Sequence, residues 1–205
     1  MSNQKRTVGN SDKMKAKDFI TLGIFTALFF VVVMVCIFAC AVTVVTYAFG
    51  PAIAAIPGGI IYMLMRVKVP KIGSILLSGV VIGVIEFLIG AGWPCAFGFI
   101  IGALLAEFIS RMGSYKNFWS NAIGYAVYMS CFALGTFWPV IMMTNYIDSM
   151  TSSNGVDSAF MEQLYGFISG PMLIAIIAVT FIAGMLGSLL TKILFKKHFK
   201  KAGII

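Results

Sequence analysis

Charge and reactive side chains are scarce in this chain. Of 205 residues, only seven are acidic and one is histidine, and charged residues of both signs make up 11%. Soluble domains carry roughly 25%, so a water-soluble core of this size is excluded. The single histidine, His198, sits in the basic stretch Lys196-Lys197-His198-Phe199-Lys200-Lys201 with no ligand partner beside it. There is no His–Cys or His–Ser pairing within an apolar segment, no paired carboxylates and no HExxH. We therefore expect no catalytic residue, no metal site and no cofactor, and do not expect an enzyme. A phosphate-binding glycine loop is also missing, so any energised role needs a partner that supplies ATP hydrolysis.

Cysteine is nearly as sparse. All four lie in or beside apolar runs, and Cys36 and Cys40 share a helix face at i,i+4 without a His, Asp or Glu nearby. Small apolar packing residues are the expected role. The net charge of +8 could point to nucleic acid. Its distribution argues otherwise, because the basic residues cluster at the ends of apolar runs, where they anchor helices among lipid headgroups. No soluble basic domain exists to carry a groove-binding surface, and nucleic acid is not an expected partner.

What is abundant is apolar sequence, 60% of the chain. About 20 apolar residues span a bilayer, and the spacing predicts six such helices. The expected fold is an all-α integral membrane protein, a compact six-helix bundle with both termini cytoplasmic. The expected organisation is a basic cytoplasmic tail over residues 1–17, a transmembrane substrate-binding domain over 18–196 and a basic cytoplasmic tail over 197–205. Helix 1 is expected from Phe19 to Ala39; about 20 residues separate Lys17 from Cys40, too long for a signal h-region of about 7–15. The uncharged, β-branched segment that follows is either a continuation of helix 1 or an apolar lid over residues 41–50. Gly50-Pro51 starts helix 2, since proline suits a first helical turn, and it runs to Met65. Helix 3 spans Ile72–Ile89, helix 4 Cys95–Ile109, helix 5 Phe118–Met143 with a kink expected at Pro139, and helix 6 runs from Gly170-Pro171 to Phe195. Residues Asn145 to Gln163 read as one long polar loop.

Orientation comes from counting charge. The N-terminal tail holds five basic residues, the helix 2–3 turn three, the helix 4–5 turn two and the C-terminal tail five, which exhausts the 15 Lys and Arg. The opposite side carries Asp148, Asp157 and Glu162 instead. The positive-inside rule then puts both termini in the cytoplasm.

Two acids fall inside predicted helices. Glu107 has Arg111 one turn later, and an i,i+4 ion pair accounts for it. Glu86 lies in the outer half of helix 3, where no Lys or Arg is available, on the stripe Gly79, Gly83, Glu86, Gly90 that faces other helices. An acid at a helix centre costs on the order of 2.5–3.5 kcal/mol to insert. It is either a protonated carboxyl bonded to a neighbouring group or a ligand contact, and intramembrane ionisable groups are usually functional. Trp93, Trp138 and Tyr47 gather on the same side, with Asn145 seven residues after Trp138. They read either as an interfacial aromatic belt or, with Glu86, as the lining of a small pocket open to the outside. The small-residue patterns Gly79-x-x-x-Gly83, Gly98-x-x-x-Gly102-x-x-x-Ala106 and Gly184-x-x-x-Ser188 predict close helix crossings.

The opening Lys15-Ala16-Lys17-Asp18-Phe19-Ile20-Thr21-Leu22-Gly23-Ile24-Phe25-Thr26-Ala27-Leu28 resembles the start of S components of energy-coupling factor (ECF) transporters, most closely their Trep_Strep branch. So do Gly58-Gly59-Ile60-Ile61-Tyr62-Met63-Leu64-Met65, Lys68-Val69-Pro70-Lys71-Ile72-Gly73, and Phe87-Leu88-Ile89-Gly90 followed by Trp93. The resemblance runs over nearly the whole chain, carried by the order of soft motifs. It implies a small protein that captures a vitamin-like organic micronutrient from outside and delivers it through a transmembrane T subunit and two ABC-type ATPases. It also implies that small residues of helix 1, here Gly23 and Ala27, form the docking face, and that the helix 1–2 connection acts as a lid. Two other readings use the same residues: a solitary secondary transporter or channel, and a membrane assembly factor that binds partners through glycine-rich faces.

Overall fold

The computed structural model of the protein describes residues 14–143 and 157–194. Asn145, most of the N-terminal tail and the C-terminal tail lie outside the described residues. Within them the chain forms eight helices and no strand: α1 (Ala16–Cys40), α2 (Val44–Ala48), α3 (Gly50–Lys68), α4 (Ser74–Leu88), α5 (Trp93–Met112), α6 (Phe118–Met142), α7 (Ser158–Phe167) and α8 (Gly170–Leu194).

Local chemistry sets the boundaries. Asp18 reaches back to accept the Lys15 backbone N–H at 2.8 Å and caps α1. Pro51 sits in the first turn of α3, and Arg66 and Lys68 sit in its last turn, where cations complement the helix dipole. Asn117 accepts the Trp119 N–H at 3.0 Å and starts α6. That helix continues through Pro139 to Met142. The α4–α5 turn needs glycine: Gly90 and Gly92 have φ of 91° and 84°. There the Ala91 N–H donates to the Glu86 carbonyl at 3.0 Å and the Gly90 N–H to that of Phe87 at 3.3 Å. This pairing ends a helix on a left-handed residue, and it stops α4 just beyond Glu86.

Five helices, α1, α3, α5, α6 and α8, are long and apolar enough to cross a membrane, while α4 is apolar but has 15 residues. They close into a ring in the order α1, α3, α8, α6, α5, α4, with α3 also touching α6 across the middle; the α4–α1 seam is the least extensive. Glycine brings the backbones together. A Cβ on Gly79 would collide with the Ala103 Cβ, and one on Gly98 would lie 2.7 Å from the Cys131 carbonyl oxygen. A Cβ on Gly184 would lie 2.9 Å from the Ala126 Cα. The three small-residue patterns thus fall at the α4–α5, α5–α6 and α6–α8 crossings, as such patterns do in membrane bundles. The outward faces are apolar, with Ile24, Val35, Phe108 and Ile182 all exposed, a surface suited to hydrocarbon rather than water.

Two expectations change. Residues 41–50 do not continue helix 1, which ends at Cys40, and the alternative of an apolar lid takes the form of a short helix. Thr43 and Thr46 form a reciprocal cap, Thr46 Oγ1 donates to the Cys40 carbonyl at 2.6 Å, and the chain turns into the separate helix α2. The supposed polar loop also contains α7, which starts at Asp157, whose side chain accepts the Ala159 N–H at 3.0 Å.

Candidate functional site

α1, α4 and α6 end on the same side of the ring where α3 and α5 begin, and a cavity of about 660 Å³ opens among these ends. Its wall comes from Ile37 and Phe38 of α1, Pro51 of α3, Glu86 of α4, Cys95 of α5 and Phe132, Thr136 and Phe137 of α6. Tyr47 of α2 and Phe160, Met161 and Leu164 of α7 line it from the covering side. The cover is tied by aromatic edges. The Tyr47 ring meets Phe137 at 5.8 Å and 88°, and Phe160 at 5.6 Å and 74°. These edge-to-face contacts join α2, α6 and α7 over the opening.

Glu86 occupies the last turn of α4 and is 2% exposed. Its Oε1 is buried without a hydrogen-bond partner. Among the described lining residues none is Lys, Arg or His, and Asp157 is the one other charged group. Thr136, a hydroxyl-bearing wall residue, turns its Oγ1 to the Phe132 carbonyl at 2.9 Å. The site is therefore an apolar, ring-lined chamber with one buried carboxyl.

The five expected pocket residues divide. Glu86 and Tyr47 line the cavity. Trp93 does not: it stands at the start of α5, 49% exposed, edge-on to Phe97. Trp138 does not either and is 38% exposed; one residue along a helix is about 100° of rotation, so Phe137 faces inward and Trp138 away. Asn145 lies outside the described residues. Sequence reasoning missed Phe132, Thr136 and Phe137 on α6 and all of α7. The signals were an i,i+4 pair on α6 and, on α7, an Asp N-cap followed by Phe160, Met161, Leu164 and Phe167 at helical spacing.

Basic residues collect at the other end. Arg66 is 1% exposed; its Nε donates to Asn121 Oδ1 at 3.4 Å and its Nη1 to the Val69 carbonyl at 3.0 Å and to Ser74 Oγ. The expected Glu107–Arg111 ion pair is not formed: among the described residues the ion pair present is Lys71–Asp18 at 3.1 Å. Glu107 instead turns inward and accepts backbone N–H groups from Gly73 (2.7 Å), Ile75 (3.0 Å) and Leu76 (3.3 Å). The first turn of a helix offers unpaired donors and the positive end of its dipole, a better partner than an exposed guanidinium.

Gly23 and Ala27 lie on α1 beside a groove of about 320 Å³ along the α1–α4 seam, with Leu22, Thr26, Val81 and Ile85. A Cβ on Gly23 would meet nothing within 4 Å, so this glycine is not required by packing within the bundle. The Thr26 hydroxyl donates to Ser78 Oγ at 2.9 Å across the seam.

An apolar exterior around helices of membrane-spanning length defines an integral membrane protein. The sequence profile of Trep_Strep, described as hypothetical bacterial integral membrane protein, matches residues 16–201, and the chain belongs to that family. Searches of curated proteins and of solved structures gave no match.

Proposed function

We propose that the protein is the substrate-binding S component of an ECF-type importer, capturing a small organic micronutrient from outside the cell. Binding, not catalysis, is its task. In this reading α4 is a sixth crossing, both termini are cytoplasmic, and the covered cavity faces outward. The observation that carries the reading is the cavity itself. It has the volume of a small-molecule site, typically about 300–1,000 Å³, lies at one end of the bundle and holds a buried carboxyl whose Oε1 has no hydrogen-bond partner among the described residues. It sits opposite the clustered basic residues, which the positive-inside rule assigns to the cytoplasm.

The reading also needs a partner, since the chain carries no nucleotide motif. α1 is suited to meet one. Of its most apolar stretch 22% is buried, against 67% for α3, and Gly23 and Ala27 leave a shallow groove where another helix can approach closely. The partner is a transmembrane T subunit bearing two ABC-type ATPases.

The test is affinity purification from native membranes in mild detergent. The wild-type chain should bring down a T subunit and ATP-hydrolysing subunits. Gly23→Trp should lose them while keeping the wild-type melting temperature, because the site is open. A wild-type preparation without ATPase activity overturns the importer reading. Collapse of the Gly23→Trp protein overturns the docking face.

A further inference from the structure

We infer that the cavity recognises an organic cation, a protonated amine carried on an apolar, ring-bearing body. The inference rests on the reading of this cavity as the substrate site and names the class of substrate.

Glu86 is 2% exposed with Oε1 unpaired. A buried carboxylate is unfavourable unless it is paired or hydrogen-bonded, and among the described lining residues none is a cation. The surrounding charges deepen the deficit. Asp157 lies on the same cavity, and Glu86 sits in the last turn of α4, where the helix dipole disfavours negative charge. Pro51, on the wall in the first turn of α3, removes one of the N–H donors that a helix start offers to an anion. A cationic ligand supplies the positive charge that the described wall lacks. An anionic ligand would place its charge beside two carboxyls with no cation to offset it.

The rest of the wall describes the body of that ligand. Phe38, Phe132, Phe137, Phe160 and Tyr47 line the same cavity as the carboxyl. Aromatic faces attract cations and stack on flat apolar groups. The volume of about 660 Å³ accommodates one or two fused rings with a short alkyl arm.

Three probes that share a ring and differ in the end group separate these terms: tryptamine (ammonium), tryptophol (hydroxyl) and indole-3-acetate (carboxylate). Each is titrated into purified protein in nanodiscs at neutral pH by calorimetry. Tryptamine should bind at least ~10-fold more tightly than tryptophol, and indole-3-acetate should not bind. Glu86→Gln should weaken tryptamine by roughly 10- to 150-fold, the span expected for a hydrogen bond to a charged group, and leave tryptophol nearly unchanged. Glu86→Asp, which retains the charge, should retain the preference for tryptamine. Equal or tighter binding of either other probe, binding of none of the three, or a preference that survives Glu86→Gln overturns the inference. The two readings fail separately. Cation preference in a chain that purifies without ATPases removes the importer and leaves the ligand class. Co-purified ATPases with no cation preference do the reverse.

Discussion

Glu86 and Glu107 are the same residue, both buried in apolar helices at opposite ends of the bundle, and their surroundings could hardly differ more. Glu107 is 9% exposed and takes three backbone N–H groups at the start of α4. Glu86 is 2% exposed, near the end of the same helix, and its Oε1 takes none. One helix thus has an acid at each terminus: the N-terminal one arrives from α5 and completes the helix, and the C-terminal one belongs to α4 and leaves its Oε1 without a partner among the described residues. Burial alone does not separate a structural acid from a binding acid. The supply of donors around it does.

The contrast between the two ends can be broken first by topology, where the expected effect is all or none. With the four native cysteines replaced, Ser158→Cys should react fully with an impermeant maleimide added to intact cells, and Lys116→Cys should react only after permeabilisation. The reverse pattern would put the cavity on the cytoplasmic side and remove the basis for capture from outside. A large but graded effect comes next. Glu107→Ala strands three N–H donors, and a loss of about 3 kcal/mol is expected for buried donors left unpaired. In a chain of this size that lowers the melting temperature by roughly 6–12 °C, readable by a thiol-independent fluorescence melt. The smallest effect belongs to Glu86. Without ligand, Glu86→Gln should hold or slightly raise the melting temperature, because removing an unpaired buried charge relieves desolvation. If Glu86→Gln destabilises as much as Glu107→Ala, the carboxyl is part of the scaffold and the asymmetry between the two ends disappears.

Much of the bundle was legible because its punctuation is chemical. Gly50-Pro51, the Arg66–Lys71 turn, Gly90–Pro94 and Arg111–Lys116 mark helix ends within a few residues of those observed. Glu86 stood out because Gly79 and Gly83 put it on a stripe that must face another helix, and those glycines do meet α5. Other features depend on partners distant in sequence. Glu107 has Arg111 beside it along the chain, whereas Gly73, Ile75 and Leu76 lie more than thirty positions away. α7 is hidden because its first residues, as far as Gln163, continue the polar run that precedes them, although its apolar positions fall at helical spacing. The tryptophans misled for a geometric reason. A large interfacial ring draws notice, yet at Trp138 the rotation of one residue gives the chamber to Phe137 instead.

The length of α4 has a consequence for the lipid around the protein. On the six-crossing reading, a helix of 15 residues rises about 22 Å, while its neighbour α1, with 25 residues, rises about 37 Å, and the hydrocarbon layer is about 30 Å thick. The apolar girdle is therefore uneven, low on the α4 flank and tall on the α1 flank. A bilayer meets such mismatch by thinning locally or by letting the body lean, at a fraction of a kcal/mol per Å. Membrane thickness thereby becomes a variable that sets the resting tilt of the whole molecule, and the groove between α1 and α4 lies where the thickness demanded of the lipid changes most steeply.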